Sequence, residues 1–532
     1  MTLMKAACAC AAHLLILMPL AVADSTPNGQ AINLEDMRKQ YRETRSGTYD
    51  PAAAQSQKQV QPGVIVERNG FVSVQVNTDN GLNIVGDAAN EPSLAVDPTN
   101  PNRMVIGWRQ FDTITDSFRQ AGYAYTTDGG ETWTFPTVIE PGIFRSDPVL
   151  AADSAGNFYY NSLRVEAGNQ FFCDVFKSDD GGATWDSGTL AFGGDKQWMA
   201  IDRSSGKGAG HIYTSWNASF SCCGGDFSYS TDGNQTYDGP LTLPNSPFWG
   251  TLDVGPDGDL YIAGNGFVVL RSTNAQDDQQ TPGFTVSNVD LGGTLRISTG
   301  PNPAGLLGQG WVATDHSNGP SRGNVYLLAS VDELGPDPLD LMFSRSEDNG
   351  QTWSAPVQVN NDAGLNAWQW FGTMSVAPNG RIDVIFNDTK ESGLDNVSEM
   401  FYTFSLDTGD TWAEAIAVTP SFNSHVGWPQ QNKMGDYYDM ISEEDGVNIA
   451  YSATFNGEQD VYFLRIGGDC NENGVLDLQD IEEGVLNDKN ANFQPDECEG
   501  LNIPTTSSWG IIVMALLMFV IVSFIRRTGV VS

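Results

Sequence analysis

A short turn motif recurs along the chain, and this repeat limits the possible folds more than any other feature. The motif has the form S/T-x-D-x-G-x-T-W with small variations, and it occurs as TTDGGETW, KSDDGGATW, STDGNQTY, RSEDNGQTW and SLDTGDTW. The intervals between successive motif aspartates are 52, 52, 116 and 59 residues. Since 116 is about two periods, one unit has lost its motif, where the sequence reads RSTNAQDDQQTPGF. The motif aspartates are Asp128, Asp180, Asp232, Asp348 and Asp407.

Each motif belongs to a longer unit that begins with an apolar strand, a polar turn and a second strand, as in SDPVLAADSAGNFYYNSL. Seven such units can be counted, and a period near fifty supplies about four strands per unit, which is typical of a propeller blade. The last unit lacks the motif, so we expect the early segment FVSVQV to complete it and close the ring. The sequence predicts an all-β fold, a β-propeller over residues 64–466 with seven blades, six being the alternative because the fourth unit is degenerate.

The motif residues suit a structural role. The aspartate can accept hydrogen bonds from backbone N–H groups of its own turn, and the glycine permits a positive φ. The tryptophan begins the next strand, and we expect it to pack between strands of its own blade. We therefore expect the five motif aspartates to be structural and not catalytic.

The five motifs resemble those of the Asp-box (BNR repeat) proteins, a group that includes sialidases, some endoglucanases and sortilin-like receptors. The resemblance implies a sialidase-like β-propeller, but propellers host many unrelated activities. Sialidases carry an Arg-Ile-Pro type motif before the first box and an arginine triad for the substrate carboxylate. The stretch RMVIGWRQF lacks that motif, and Arg145, Arg164, Arg296 and Arg322 do not define a triad. Exo-sialidase activity is therefore one alternative.

A functional site is expected at the mouth of the central channel, where the residues just before each first strand converge. These positions are rich in carboxylates and aromatic rings, as in carbohydrate clefts. Glu91, Asp147 and Asp195 are the catalytic candidates, with Glu91 paired to Asp147 or Asp195. The alternative is that such residues cap turns and pack the channel wall. The ligand-binding candidates are Arg145, Lys196, Trp198, Trp249, Trp370, Asp436 and Tyr437.

The functional hypothesis is thus an exported propeller that binds a glycan or polysaccharide, with hydrolysis left open. If it is an enzyme, we expect a glycoside hydrolase of sialidase-like type, and the other alternative is a noncatalytic protein-binding or scaffold propeller. The net charge of −39 repels nucleic acid and excludes it as a partner. His211, His316 and His425 show no metal-ligand spacing.

The segment DCNENGVLDLQD has the oxygen-ligand spacing of a calcium loop, and DKNANFQPDECE repeats it with Phe493 in place of the glycine. The first loop resembles a dockerin or EF-hand-like loop, and a short helix is expected to follow. We predict structural calcium in a module over residues 467–500, stapled by a Cys470–Cys498 disulfide. The predicted ligands are Asp469, Asn471, Asn473, Val475 through its carbonyl, Asp477, Asp480, Asp488, Asn490, Asn492, Asp496 and Glu499.

Both ends of the chain carry targeting signals. Residues 1–23 have the layout of a signal peptide, and residues 24–63 read as a flexible segment. The remaining odd number of cysteines leaves one unpaired, and Cys222 or Cys223 is a possible partner of Cys173. Residues 503–527 contain IPTT, an apolar run and two arginines, and they look like the IPTL-CTERM sorting signal with Thr506 in place of leucine. That resemblance implies a sorting peptidase as partner and delivery to the cell surface after transient membrane anchoring, and a plain anchor is the alternative.

Overall fold

The computed structural model describes the central part of the chain, and the predicted signal peptide and sorting segment lie outside the described residues. Among the described residues, no helix is long and apolar enough to cross a membrane. Of the predicted calcium ligands, Asn492 and Glu499 also lie outside. The described residues are 46–51, 58–166, 168–219, 221–333, 335, 337–362, 366–471, 473, 475–490 and 493–498.

Five short strands come first, before the repeated units. They are β1 (Val60–Pro62), β2 (Ile65–Arg68), β3 (Phe71–Gln75), β4 (Thr78–Asp79) and β5 (Leu82–Ile84). Strands β2 and β3 form a hairpin, with Arg68 opposite Phe71 and a positive φ at both turn residues, Asn69 and Gly70. Strands β1, β5 and β4 form a separate three-stranded sheet.

Four four-stranded antiparallel sheets follow in chain order, and we number them blades 1 to 4. Blade 1 contains β6 (Ala88–Val96), β7 (Met104–Phe111), β8 (Gln120–Thr126) and β9 (Thr134–Ile139). Blade 2 contains β10 (Arg145–Ala152), β11 (Phe158–Glu166), β12 (Gln170–Ser178) and β13 (Thr189–Leu190). Blade 3 contains β14 (Asp195–Ile201), β15 (Ile212–Asn217), β16 (Phe227–Ser230) and β17 (Asp238–Leu241). Blade 4 contains β18 (Leu252–Val254), β19 (Leu260–Gly264), β20 (Val268–Ser272) and β21 (Thr285–Asn288).

The next two blades carry additional strands. Blade 5 contains β22 (Thr294–Leu295), β25 (Trp311–Thr314), β26 (Val325–Asp332), β27 (Asp340–Ser346) and β28 (Val357–Gln358). An inserted hairpin, β23 (Ile297–Thr299) and β24 (Asn302–Leu306), lies between β22 and β25 in the chain. Blade 6 contains β29 (Gln369–Val376), β30 (Ile382–Asp388), β31 (Val397–Ser405), β32 (Ile416–Ala417) and β33 (Phe422–Asn423).

Blade 7 joins the two ends of the propeller. It contains β34 (Asp439–Glu443), β35 (Gly446–Ala453) and β36 (Asp460–Gly467), and the early strands β3 and β2 complete it. Ser73 pairs with Leu464 and Val74 with Phe463, so the predicted closure by FVSVQV is confirmed. We call β2, β3 and β36 the closure seam.

The innermost strands form a ring. Each contacts the next in the cyclic order β6, β10, β14, β18, β25, β29 and β34, and β34 contacts β6 again. The inner strand β6 is buried along its whole length because neighbouring blades cover both of its faces. The all-β propeller fold is confirmed, and the described part of the chain holds seven sheets in the ring.

The five repeated turns share one hydrogen-bond pattern. In the turn of Asp348, one carboxylate oxygen accepts from the Ser346 hydroxyl at 2.8 Å and the Thr352 N–H at 2.8 Å, while the other accepts from the Thr352 hydroxyl at 2.6 Å. In the degenerate fourth unit, Asn274 takes this place and accepts from Ser272 and from the N–H of Gly283. The aspartates therefore act in the turns, as predicted.

We predicted that each motif tryptophan packs between strands of its own blade. In the structure, several of them contact the preceding blade. Trp133 of blade 1 packs on Phe463 of blade 7 at 5.2 Å between ring centroids, and Trp412 of blade 6 packs on Phe343 of blade 5 at 5.3 Å. Trp185 contacts both its own blade and Tyr123 of blade 1. The bulky indole reaches the preceding blade because each turn lies at the edge where two blades meet, so the motif also fastens neighbouring sheets.

A small module follows the propeller. It contains the helix α1 (Asp477–Glu482) at the position where a short helix was expected. Cys470 and Cys498 are joined by a disulfide. The suggested bond between Cys173 and the vicinal cysteines is wrong, because Cys222 and Cys223 are bonded to each other and Cys173 is a buried free thiol.

Candidate functional site

A β-bulge recurs near the start of the inner strands. The strand register shifts between Asn90 and Ser93 in β6, and equivalent shifts occur in β10, β14 and β29. The bulge residue has a positive φ of 51° at Glu91, 46° at Asp147 and 54° at Lys196. A left-handed backbone at a residue other than glycine is strained by about 1–3 kcal/mol, and bulges redirect side chains. Three blades thus carry the same strain with a charged residue at the bulge.

These three side chains meet on the ring axis, together with Lys433 and Asp436 from the segment before β34. The ammonium of Lys196 contacts Asp436, lies 3.6 Å from an Asp147 oxygen and lies 4.0 Å from a Glu91 oxygen. Lys433 donates to Asp436 at 2.6 Å and to Glu91 at 3.3 Å. We call these five residues the axial cluster.

Two arginines and a further carboxylate surround the axial cluster. Arg109 of β7 lies 3.0 Å from Glu91 and also donates to Asn90 at 2.8 Å. Arg119 lies over the Phe144 ring, 4.4 Å from its centroid, and burial lowers the pKa of its guanidinium to about 9. Burial raises the pKa of Asp195 to about 7, although Lys196 opposes this. The sequence did not single out Lys433 or Arg119.

The neighbouring carboxylates have divergent pKa values because their surroundings differ. Burial raises the pKa of Glu91 to about 8, against the opposing effects of Arg109 and Lys433. For Asp147 burial also opposes ionisation, but the nearby cations outweigh it and lower its pKa. The pKa of Asp436 is well below its usual value for the same reason, with Lys196 as the strongest cation.

The axial cluster is covered on its outer side by the inserted hairpin β23–β24 and by the segment 424–436. Asn302 donates to the Gly435 carbonyl at 2.8 Å and accepts from the Met434 N–H at 2.9 Å, and the Leu306 N–H donates to Asp436 at 2.9 Å. Gly435 has a φ of 106°, and a Cβ there would lie 2.7 Å from Cγ of Glu91.

Close packing by this cover leaves the carboxyl groups almost inaccessible. Glu91, Asp147 and Asp195 are 0% exposed, and Asp436 is 1% exposed. The predicted open mouth is therefore closed in this structure. The catalytic candidates do converge, as the blade geometry suggested, but in a buried ion-pair network.

The other predicted ligand residues occupy different surroundings. Arg145 pairs with Glu140 and, at 3.0 Å, with Asp174, away from the axial cluster. Trp249 and Trp370 are buried, and the Trp370 indole donates to Ser398 at 3.0 Å. Their predicted role in ligand binding is not supported, because both side chains are buried.

Trp198 and Tyr437 also pack internally. Their rings are 5.2 Å apart, Trp198 lies 5.3 Å from Trp311, and the Tyr437 hydroxyl donates to the Pro148 carbonyl at 2.7 Å. Farther along the inner strands a cavity of 170 Å³ occupies the channel, lined among others by Trp198, Trp311 and His316. These two candidates therefore form part of the channel wall, which was the alternative interpretation.

The arginines considered for a sialidase triad do not converge. Arg164 lies 2.8 Å from Asp174, and Arg296 lies 3.3 Å from Asp332. Arg322 donates to the His316 carbonyl at 2.7 Å. Arg145 and Arg164 share the Asp174 carboxylate, whereas Arg296 and Arg322 bind elsewhere, so the four do not form one site for a substrate carboxylate in this structure.

The first predicted calcium loop brings its oxygen ligands together. Asp480 is 1% exposed, and its carboxylate accepts from the Asn471 amide at 2.8 Å and the Asn473 amide at 2.9 Å. Asp469 accepts from the Asn473 N–H at 2.8 Å. Asp477 lies within 4.8 Å of Cys470 and Cys498, but the disulfide removes these sulfurs as thiolate ligands. The remaining donors are oxygens, which suit a hard cation such as calcium.

The second predicted loop is described only in part. Asp496 lies 3.7 Å from Lys489, and Asp488 accepts from the Phe493 N–H at 2.8 Å. Phe493 has a φ of 65° at the position where the first loop has glycine. Phe493, which replaces the glycine of the calcium-loop pattern, thus has a left-handed backbone, a conformation that glycine adopts without strain.

No family model and no curated protein matches this sequence. Among solved structures, a protein of unknown function from Dyadobacter fermentans is similar at 13% identity and a TM-score of 0.42, over 76% of this chain and 98% of that one. The Hadza microbial sialidase Hz136 is similar at 13% identity and a TM-score of 0.40, over 75% and 73%. YCF48 bound to D1 peptide is similar at 12% identity and a TM-score of 0.41, over 79% and 99%. Similarity at this level carries no inference about activity.

Proposed function

We propose that this chain is a noncatalytic binding propeller, in which the axial cluster is a structural clasp and not an active site. The supporting observation is the burial of every predicted catalytic carboxyl group, each 0% exposed. General acid/base catalysis requires the acid to reach the substrate within hydrogen-bond distance. The clasp joins blades 1, 2, 3 and 7 through Glu91, Asp147, Lys196 and Asp436.

The proposed ligand is a glycan or polysaccharide, bound at an accessible face and not at the axis. The test combines a glycan array with hydrolysis assays on sialosides and other glycosides, using wild type and Glu91→Gln. We expect no turnover by either protein, and array binding that is the same for both. Asp257 is an exposed residue of blade 4, and Asp257→Asn is the matched control for the removal of a carboxylate charge.

Turnover by wild type that is lost in a folded Glu91→Gln protein would overturn this proposal. It would favour a second candidate, a glycoside hydrolase with Glu91 as the acid. The contrast between the raised pKa of Glu91 and the lowered pKa of Asp147 favours that candidate, since paired acid/base catalysts show such a separation. Release of sialic acid would specify the exo-sialidase alternative. If the protein binds no glycan on the array and hydrolyses no glycoside, the remaining alternative is a protein-binding or scaffold propeller.

The same proposal includes export and delivery to the cell surface. It rests on the signal-peptide layout of residues 1–23 and the sorting-signal resemblance of residues 503–527. Mass spectrometry of the mature surface protein should show a chain that begins near Asp24 and lacks the C-terminal apolar run. A mature protein that retains this run would indicate a plain membrane anchor.

We also propose that structural calcium binds the loop 469–480, which we call the calcium loop. The side chains of Asp469, Asn471, Asn473, Asp477 and Asp480 and the Val475 carbonyl would hold the ion. Calcium would supply a hard, oxygen-binding centre for a module too small to keep a core of its own. Isothermal titration of the metal-stripped protein with calcium should show binding that Asp480→Asn weakens.

A further inference from the structure

The module that contains the calcium loop packs directly on the closure seam. Leu476 is 1% exposed and Leu478 is 8% exposed, and both belong to the hydrophobic cluster that includes Leu464 and Ile466 of β36. Phe71 of β3 packs against the same cluster. Two leucines of the module therefore take part in the core of the blade where the two ends of the propeller meet.

Polar contacts reinforce this packing. The Asp477 N–H donates to the Gly468 carbonyl at 2.8 Å, just after the end of β36. On the other side, a Cβ on Gly70 would collide with the Gln494 side chain, so the turn of the β2–β3 hairpin touches the second half of the module. A cavity of 660 Å³ separates the remaining surfaces and is lined by both parts, including Val74, Phe463 and Phe493. The contact is thus anchored mainly by the leucines.

The docking leucines alternate with the proposed calcium ligands. Leu476 lies between Val475 and Asp477, and Leu478 lies between Asp477 and Asp480. The Asp480 N–H donates to the Leu476 carbonyl at 3.0 Å, which ties ligand and leucine into one turn. An ion that fixes the ligands must also fix the backbone that presents the leucines. In the absence of an ion, five carboxylate and amide side chains crowd a short loop that has little core of its own.

We infer that calcium binding at the loop 469–480 holds the propeller closed, by docking Leu476 and Leu478 on the closure seam. The strand pairing that completes blade 7, β3 with β36, has three residue pairs in register, and the Val76 N–H extends it by donating to the Val461 carbonyl at 2.8 Å. This pairing is shorter than that of β35 with β36 in the same blade, which has eight residue pairs, so it gains more from an added clamp. The inference depends on the proposed calcium site, and it assigns that site a role in the propeller and not only in the module.

The test is hydrogen exchange on the full mature chain, with calcium or with a chelator. A ligand that binds only the closed form lowers the opening equilibrium by about 100-fold at a concentration 100 times its dissociation constant. We therefore expect calcium to slow exchange of the β3 and β36 amides by up to about that factor. Exchange within blades 3 and 4 should change little.

Three variants separate the possible outcomes. Leu478→Ala keeps every oxygen ligand, so it should bind calcium in a titration but lose the protection of the seam. Asp480→Asn should weaken calcium binding and reduce the seam protection in parallel, and the control Asp257→Asn should keep both. If wild type binds no calcium, the calcium site itself is wrong and the inference falls with it. If calcium binds but slows exchange only within residues 469–498, or if Leu478→Ala keeps the seam protection, the calcium site stands and the clamp is wrong.

Discussion

Replacing Lys196 by methionine tests the clasp most specifically, since it removes one charge and nearly preserves the volume. Lys196 is the cation nearest to Asp147, at 3.6 Å, and it also contacts Asp436. In Lys196→Met, Asp436 retains Lys433 at 2.6 Å, and Glu91 retains Arg109 at 3.0 Å. Both of these carboxyl groups therefore keep a direct cationic partner.

Asp147 does not keep such a pair among its described close contacts. It retains hydrogen bonds from the Ser146 hydroxyl at 2.8 Å and from the N–H of residue 196 at 3.1 Å. Removing one partner of a buried ion pair destabilises a protein by about 3–5 kcal/mol. We expect a loss of this size at pH 7, measured by chemical denaturation.

The pH dependence provides an internal check. In wild type the pKa of Asp147 is lowered, so its ionised form stabilises the fold above pH 3.8, and this contribution is lost as pH falls. In Lys196→Met the strongest of the cations that oppose burial is lost and only Arg109 and Lys433 remain, so the pKa of Asp147 should rise and the penalty should grow as pH rises above 3.8. The loss caused by the mutation must therefore be smaller at pH 5 than at pH 7.

Two further variants complete this experiment. Adding Asp147→Asn to Lys196→Met should recover part of the lost stability, because the unpaired charge is removed. Lys207→Met is the control, since the Lys207 side chain is 77% exposed and its contact with Asp277 is 3.8 Å. A loss below about 1 kcal/mol at pH 7 for Lys196→Met would refute the account of the clasp.

Four other predictions follow from the same contacts. Burial of Glu91 with a pKa of about 8 favours its protonated form, so wild-type stability should fall as pH rises from 4.5 to 8, and Glu91→Gln should flatten that slope in denaturation at several pH values. Asp348→Ala removes the acceptor of a repeated turn and should destabilise blade 5 by about 1–3 kcal/mol, seen as a lower denaturation midpoint, whereas an unchanged midpoint would contradict the structural role. Gly435→Ala should destabilise far more than Gly393→Ala in a thermal melt, since only the first Cβ meets a neighbouring atom, and equal melts would argue against the close cover of the axial cluster. Burial raises the pKa of the Cys173 thiol, so a thiol reagent should label it only in denaturant, and labelling of the native protein would show that blade 2 opens.

The fold was predictable because its signals are local and repeated. The turn of Asp348 and its relatives needs only a few neighbouring residues, so five copies at one period specify the sheets. The closing strand was predicted because the last unit lacks the motif and the early segment FVSVQV could complete it. The contact of Trp133 with the preceding blade was missed, because sequence period does not show on which side of a blade an indole packs.

The candidate site was only partly predictable. Glu91, Asp147, Lys196 and Asp436 were found because each lies at or just before the start of an inner strand, and their meeting follows from the ring. Their burial was not predictable, because the cover comes from segments outside the repeat. Lys433 lies in such a segment, and its spacing of three residues from Asp436 was the one sequence feature that could have indicated its role.

The central claim is that the axial cluster is sealed, and carbodiimide labelling of the native protein followed by mass spectrometry tests it directly. Glu91, Asp147 and Asp436 should remain unlabelled under conditions that fully label the exposed Asp257, and all four should react after denaturation. Labelling of Glu91 in the folded protein at a rate like that of Asp257 would contradict the account and restore an open mouth at the propeller axis.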